Sequence, residues 1–354
     1  MARAFWDALP PGVRLSVDLF PNHVLHREPY PDRHHYVTVD WSGAPRAPAR
    51  PLPGLLVGDT PVTESLSVDW PLRFLSPRLR AFHDAGQPVD ALGVGIEPLR
   101  SEEARGLFAR DFLPVRSWTV RSDACRARLL ELEVPADRIQ VGADWAWLYR
   151  PRRDLRAWGR ETWTRLGVDP VQPLLVASVV NEIWRERAEV KRALASALDD
   201  LAGAHGFQVA FFCNETREGE FYDRAAALET QFLMKRRSLI VPHLYWSGDE
   251  ALGLLAHASA TLAGRYHFVV ESVLAGAPPV GLVRSAKVGD LFRELGLQPV
   301  GSLEAPDPAS IVEGVRAAAA ADEPARGALA AARARLAGRA ERNLDLVRGG
   351  WKED

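Results

Sequence analysis

From about residue 88 onward the chain alternates short apolar runs with longer amphipathic ones, and this alternation is the strongest constraint on its fold. Apolar runs such as 90–96 and 174–180 have the length of buried strands. The amphipathic runs that follow them, such as 101–111 and 183–205, have the length of helices. Strands and helices that alternate in this way form a sheet of mostly parallel strands covered by helices. We therefore predict an α/β protein with mostly parallel sheets.

The alternation is interrupted once, between residues 149 and 173, where arginine, tryptophan and proline are frequent and no apolar strand occurs. A chain of 354 residues is too long for one small core and suits two α/β domains. We predict an N-terminal Rossmann-like domain over residues 1–155, a C-terminal Rossmann-like domain over 170–322, and a C-terminal helix over 323–354. Two such domains facing a cleft would place the carboxyl ends of their strands around it, where α/β sheets bind ligands.

Composition excludes several classes of protein. The formal charge of −2 provides no basic field, so we expect no nucleic-acid partner. Cys125 and Cys213 lie far apart in apolar surroundings, as expected of reduced core residues in a cytosolic protein. The first residues do not resemble a signal peptide, and no stretch has the length of an apolar membrane span. We expect a cytoplasmic protein, for which peripheral contact with a membrane-bound substrate stays open.

Four histidines stand close together near the start of the chain, at positions 23, 26, 34 and 35. Their spacing lacks the His-x3-His pattern of a helical metal site, and no cysteine is near them. A metal site is the alternative to a solvated loop here, and we predict no bound metal.

The segment 258–271 combines features that favour an anion-binding site. It consists of a short apolar strand, a glycine turn, and a helix that opens with Arg265 and His267. Free backbone N–H groups and the helix dipole at such a turn attract anions. Arg265 adds a fixed cation, and His267 adds a group that can donate a proton near neutral pH. The alternative is an exposed arginine beside a histidine that caps the helix.

Several motifs resemble the polysaccharide pyruvyl transferase family in their order and spacing. The sequence Gly264-Arg-Tyr-His267 is followed by the strand Gly-Ala-Pro-Pro-Val and by Lys287. Upstream, Val120-Arg121-Ser-Asp and Val141-Gly-Ala-Asp144 resemble two further segments of that family. The resemblance covers residues 55 to 297 and implies two Rossmann-like domains arranged as in GT-B enzymes.

The reaction that this resemblance implies is transfer of a pyruvyl group from phosphoenolpyruvate to two hydroxyls of a sugar, which forms a ketal. Arg265, Arg121 and Lys287 would neutralise the phosphate and carboxylate of the donor. His267 would act as the general acid. The C-terminal domain would hold the donor, and the N-terminal domain would hold a cell-surface glycan or its lipid-linked precursor. Phosphoenolpyruvate would be a co-substrate, and no cofactor is required.

Four residues keep alternative interpretations. Lys287 could be an exposed lysine at the start of its helix. Arg121 could close its strand by pairing with Asp144, in which case Asp144 would be structural rather than substrate-binding. Glu271 lies one helical turn beyond His267, so it could orient the imidazole.

Two other functions remain open. The segment that begins with Glu271 also resembles GT-B glycosyltransferases, in which a glutamate at this place grips the ribose of a nucleotide sugar. The glycine-rich N-terminal loop of the pyruvyl transferases has no counterpart before residue 50. A member that binds glycan without turnover is therefore the second alternative.

Overall fold

The computed structural model describes residues 15–19, 34–38, 54–180, 188–215 and 222–345, together with Asp7. The chain divides into two compact units. Residues 54–149 and 334–345 belong to the first, as do the two short strands before residue 54. The described residues from 150 to 333 form the second.

The first unit is built on a four-stranded sheet whose strands are all parallel and follow one another in chain order. A separate pair of parallel strands precedes it, β1 (Leu15–Leu19) and β2 (His34–Thr38). The four strands are β3 (Gly54–Val57), β4 (Val89–Val94), β5 (Ser117–Val120) and β6 (Ile139–Val141). Three helices accompany them: α1 (Phe74–Asp84), α2 (Glu102–Leu107) and α3 (Asp123–Glu131).

The second unit contains six parallel strands, β7 (Leu174–Ser178), β8 (Gln208–Phe211), β9 (Ser238–Ile240), β10 (Ala260–Ala263), β11 (Pro279–Val283) and β12 (Gly301–Ser302). Its helices are α4 (Arg156–Arg165), α5 (Ala188–Ala204), α6 (Tyr222–Leu233), α7 (Gly248–Leu255), α8 (Tyr266–Ala275), α9 (Ala286–Leu295), α10 (Pro308–Ala319) and α11 (Glu323–Ala340). The last of these begins in the second unit and ends in the first.

The strand order of the second sheet is β9-β8-β7-β10-β11-β12. Counted within the unit this is 3-2-1-4-5-6, the order of a doubly wound dinucleotide-binding fold. The order reverses between β7 and β10, which pair directly, with Ser178 opposite Ala263. Such a reversal sends the connections after the two strands to opposite faces, which opens a crevice at their carboxyl ends.

Burial explains why these segments form strands. All five residues of β7 and all four of β10 are buried, as expected for central strands covered by helices on both faces. In the first unit the large side chains of Phe108, Phe112 and Trp118 are fully buried, and the two phenylalanine rings stack at 5.9 Å. Each sheet therefore has its own core of branched and aromatic residues.

The predicted α/β class with two parallel sheets is confirmed, and most strands lie within a few residues of their predicted bounds. Helix α1 was not predicted. It contains Pro77, which lies inside the helix at a position where proline is ordinarily disfavoured. The helix predicted over 101–111 ends at Leu107 and continues as a wider turn through Phe112. Its N-cap is Ser101, whose hydroxyl accepts a hydrogen bond from the Ala104 N–H.

The end of the C-terminal helical segment packs against the carboxyl end of β6. Arg339 Nε donates to the Gly142 carbonyl at 2.9 Å, and Asn343 Nδ2 donates to the Ala143 carbonyl at 2.8 Å. A Cβ atom on Gly142 would lie 2.6 Å from Asn343 Oδ1, so this close approach requires glycine.

Two other sequence predictions concern cysteines and metals. Cys125 and Cys213 are both buried and free, which confirms that they are unpaired core residues. Within the described ranges no group of three or more His, Cys, Asp or Glu residues is placed to hold a metal ion, and no helix has the length and hydropathy of a membrane span. His23 and His26 lie outside the described residues, and His34 and His35 belong to β2.

Candidate functional site

Polar side chains converge at the carboxyl edge of the second sheet, beside the reversal of strand order. Ser178 is the last residue of β7, and its hydroxyl donates to Asn214 Oδ1 at 3.0 Å. Asn214 follows β8, and its Nδ2 donates to Glu271 Oε2 at 2.9 Å. Three elements that are distant in the sequence thus hold one glutamate by a chain of hydrogen bonds.

Glu271 lies in the second turn of α8 and is half-buried. Burial raises the pKa of its carboxyl group above the usual 4.5, while the nearby His267 and the hydrogen bond from Asn214 act in the opposite direction. Asn214 is the one hydrogen-bond donor to this carboxylate within the part of the chain that the structure describes. Glu271 Oε1 is therefore available to accept hydrogen bonds from a ligand.

His267 is half-buried, and its ring meets the ring of Tyr266 edge to face at 5.3 Å. It lies one helical turn before Glu271, and its electrostatic interaction with that carboxyl group acts to lower the pKa of Glu271, against the larger effect of burial. The role of His267 as a general acid stays a prediction.

Arg265 occupies the N-cap position of α8 and forms an ion pair with the buried Asp223. Its Nε donates to both carboxylate oxygens, at 2.9 and 2.8 Å, and its Nη2 donates to Oδ1. Asp223 Oδ2 also accepts the backbone N–H groups of Asn214 and Glu215, each at 3.0 Å. One carboxylate therefore fixes both the arginine and the loop that carries Asn214.

Sequence reasoning did not identify Asp223, Asn214 or Ser178 as members of the site. Asn214 and Ser178 stand at the carboxyl ends of neighbouring strands, where polar residues often line ligand sites, and this signal was available. Asp223 resembles an ordinary acidic residue in the first turn of a helix, so the sequence carries no comparable signal for it.

Cys213 lies directly before Asn214 and is buried. Burial, with a further contribution from the charge of Asp223, raises the pKa of its thiol to about 12. The thiol is therefore neutral at physiological pH and unsuited to act as a nucleophile.

Lys287 is the second residue of α9, the helix that follows β11, and it is half-buried. Because β11 pairs in parallel with β10, Lys287 and Arg265 follow the carboxyl ends of adjacent strands. Gly264 lies between β10 and Arg265, and a Cβ atom there would meet its nearest neighbour, the Ser178 carbonyl oxygen, at an ordinary 3.9 Å. The turn is therefore able to accommodate a residue with a side chain at position 264, and packing does not require glycine there.

Arg121 and Asp144, the two other predicted binding residues, lie together in the first unit. Both are buried, and Arg121 Nη1 lies 3.8 Å from Asp144 Oδ2. Arg121 Nη2 also donates to the Thr60 hydroxyl at 3.1 Å, while Asp144 Oδ1 accepts the Ala146 N–H at 2.9 Å and so caps a short turn. These contacts favour the structural interpretation of the pair, and substrate binding by it stays a prediction.

The Arg121 guanidinium lies against Gly95, the residue after β4, and a Cβ atom on Gly95 would overlap it. We expect Gly95→Ala to displace Arg121 and to lower the free energy of unfolding by about 1–3 kcal/mol, as other overpacked substitutions do. Urea unfolding would measure this loss, with Gly106→Ala as the control because a Cβ atom there meets nothing within 4 Å. Equal stability of both variants would contradict the tight packing of Arg121.

Comparison with known proteins identifies the fold but no family. No protein family model matches the sequence, and no curated protein matches it. Among solved structures, the UDP-GlcNAc 2-epimerase of Neisseria meningitidis bound to UDP-GlcNAc is similar over 83% of this chain and 76% of its own, at 12% identity and a TM-score of 0.56. The α,α-trehalose 6-phosphate synthase of Burkholderia multivorans is similar over 86% of this chain and 73% of its own, at 12% identity and a TM-score of 0.55.

A third similar structure is Anabaena Alr3699/HepE in complex with UDP-glucose, with 14% identity, coverage of 78% of this chain and 77% of its own, and a TM-score of 0.53. Similarity at this level of identity shows the fold alone. The two-domain GT-B-like class predicted from the sequence is thereby confirmed.

Proposed function

We propose that this chain is a sugar-nucleotide enzyme that binds a nucleoside diphosphate sugar at the carboxyl edge of its second sheet and transfers the sugar to a hydroxyl acceptor. The observation that carries the proposal is the hydrogen-bonded chain from Ser178 through Asn214 to Glu271. It holds a carboxylate beside the reversal of strand order, where doubly wound sheets bind nucleotides.

The chemistry of Glu271 favours a ribose over a second anion. A carboxylate accepts hydrogen bonds and donates none when ionised, so it suits the adjacent hydroxyls of a ribose. Phosphoenolpyruvate carries both a phosphate and a carboxylate, and a carboxylate beside it would repel it. The ion pair with Asp223 also offsets much of the positive charge that Arg265 would offer to such a donor.

The diphosphate has a matching place at the same edge. The N-terminus of α8 presents backbone N–H groups there, and Lys287 follows the adjacent strand. The similar structures support the same class of ligand, because two of them contain UDP-GlcNAc and UDP-glucose. In this scheme Lys287 binds phosphate, Glu271 binds ribose, and His267 supplies or accepts the proton during transfer.

Ligand-induced thermal stabilisation tests the proposal. We expect UDP-glucose or UDP-GlcNAc to raise the melting temperature, with a stabilisation of about 2.7 kcal/mol at a concentration of 100 Kd. Lys287→Ala should weaken this binding by roughly 10- to 100-fold, as loss of a charge-assisted contact does. Lys235→Ala is the matched control, because Lys235 is exposed and precedes the amino end of β9.

Three results would contradict the proposal in different ways. Stabilisation by phosphoenolpyruvate and by no sugar nucleotide would favour the pyruvyl transferase prediction. Stabilisation by neither donor would favour a protein that binds glycan without turnover. Equal binding by the wild type and Lys287→Ala would remove Lys287 from the phosphate site.

A further inference from the structure

The C-terminal half of α6 exposes apolar side chains that the unit does not cover. Phe232 is 88% exposed, and Leu228, one helical turn earlier, is 47% exposed. Leu233, the last residue of the helix, is 36% exposed. Exposed apolar side chains that cluster in this way, with polar residues around them, mark surfaces that bind proteins or membranes.

Three consecutive cations, Lys235, Arg236 and Arg237, begin two residues after the end of the helix, and all three are exposed. The segment is held in place, because the N–H groups of Lys235 and Arg236 donate to the Asp199 carboxylate at 2.8–2.9 Å. These contacts use the backbone, and the three basic side chains stay exposed, with the Arg236 guanidinium lying against Gly203. We call the set Leu228, Phe232, Leu233, Lys235, Arg236 and Arg237 the apolar-basic ridge.

The ridge lies at the amino edge of the second sheet, the edge opposite the candidate site, because Arg237 directly precedes β9. Val171, which is 89% exposed, lies in the turn before β7 at the same edge. Strand β8 is the one strand between β7 and β9, so the two turns are about 10 Å apart at the usual strand spacing. Val171 therefore adds a fourth exposed apolar side chain beside the ridge.

Acidic groups beside the ridge reduce its charge without cancelling it. Asp199 lies under the basic segment, and Asp169 lies in the turn that carries Val171. Glu229 of α6 pairs with Lys191 of α5, which neutralises both. The three cations of the ridge thus outnumber the two nearby carboxylates, Asp199 and Asp169.

The size of the ridge disfavours a second copy of the chain as its occupant. Three side chains with these exposures present about 300 Å² of apolar surface, if full burial of an aromatic side chain covers 150–250 Å². A stable protein interface buries about 800 Å² on each partner, of which about 450 Å² is apolar. Shallow insertion into a lipid headgroup region has no such requirement, and amphipathic helices with basic neighbours bind membranes in this way.

We propose that the apolar-basic ridge docks on a membrane surface that contains anionic lipids. Phe232 and Leu228 enter the boundary between headgroups and acyl chains, and the three cations contact lipid phosphates. The surface is separate from the proposed sugar-nucleotide site, so either proposal can fail without the other.

Sedimentation with lipid vesicles tests this proposal on the full chain. We expect binding to vesicles of phosphatidylcholine with 30% phosphatidylglycerol and much weaker binding to pure phosphatidylcholine. Phe232→Ser should lower the partition coefficient by about 10- to 100-fold, the loss expected for one inserted large apolar side chain. Replacing the three cations with glutamine should lower binding to the anionic vesicles by about 100-fold, at roughly fivefold or more for each charge.

Leu130→Ser is the control, because Leu130 is an exposed leucine of α3 in the first unit, outside the ridge, with 39% of its surface accessible. A fluorescent label at Phe232→Cys adds a direct readout, since both native cysteines are buried and the introduced thiol reacts selectively. Its emission should shift to the blue on anionic vesicles, whereas a label at Leu130→Cys should not respond. Vesicle binding unchanged by Phe232→Ser, or a dimer in solution that Phe232→Ser abolishes without any vesicle binding, would overturn the proposal.

Discussion

Replacing Asp223 with alanine is expected to lower the free energy of unfolding by about 3–5 kcal/mol, the range found when one partner of a buried ion pair is removed. The carboxylate is fully buried and accepts hydrogen bonds from Arg265 and from the N–H groups of Asn214 and Glu215. Its removal leaves all of these donors without their acceptor. Urea unfolding measures the loss.

Amide hydrogen exchange gives a local readout of the same change. The N–H groups of Asn214 and Glu215 should exchange faster in Asp223→Ala, because both donate to this carboxylate. Arg165→Ala is the control, since Arg165 belongs to an exposed ion pair with Glu161 and should cost less than about 1 kcal/mol.

A double-mutant cycle with Arg265→Ala isolates the ion pair. The double variant should be more stable than the sum of the single changes predicts, because neither charge is then left alone. Additive effects, or a cost for Asp223→Ala no larger than that of the control, would show that the pair does not hold this edge of the sheet.

Binding of UDP-glucose is expected to strengthen as pH rises through the raised pKa of Glu271. The ionised carboxylate accepts hydrogen bonds from both ribose hydroxyls, whereas the protonated form has less capacity to accept. The pH range over which the affinity changes begins near the usual glutamate pKa of 4.5 and extends upward, because burial raises the pKa of Glu271. UDP-glucose suits the measurement, because its diphosphate has no terminal phosphate group that titrates near pH 6.

At pH values at which Glu271 is ionised, Glu271→Gln should bind UDP-glucose about 10- to 100-fold more weakly than the wild type. Its affinity should also no longer depend on pH in this way. Glu313→Gln is the control, as Glu313 is an exposed glutamate of α10 in the same unit. Calorimetric titration across the pH range measures both variants. An affinity for Glu271→Gln equal to that of the control would separate Glu271 from the ribose.

The stability of the free protein should show the opposite dependence on pH. A folded-state pKa above the unfolded value means that the native state binds the proton more readily. The contribution of Glu271 to stability is therefore present below about 4.5 and is lost as pH rises through the native pKa. Affinity for UDP-glucose should thus rise with pH while the free energy of unfolding falls. These opposite trends distinguish ligand binding by Glu271 from a purely structural effect of its burial.

Local patterns in the sequence were sufficient for the fold class. The apolar runs that became β7 and β10 are buried along their whole length, so their hydrophobicity alone marks them as central strands. The cap of α2 was equally local, because Ser101 contacts an N–H group three residues away. Helix α1 was not predicted, and it contains Pro77 in its interior, where proline is ordinarily disfavoured.

For the candidate site, the sequence located several residues but not their hydrogen-bond and ion-pair partners. The sequence by itself located Arg265, His267, Glu271 and Lys287 near strand ends, because the order of βα units fixes which residues follow each strand. Only the tertiary structure paired Arg265 with Asp223, which is 42 residues distant, and Glu271 with Asn214, which is 57 residues distant. Such pairings depend on which strands are neighbours in the sheet, and the order 3-2-1-4-5-6 is set by packing of helices on both faces rather than by any local pattern. The residues that can bind a ligand were therefore determined by the sequence, and the partners that fix their charge and orientation were decided by the fold.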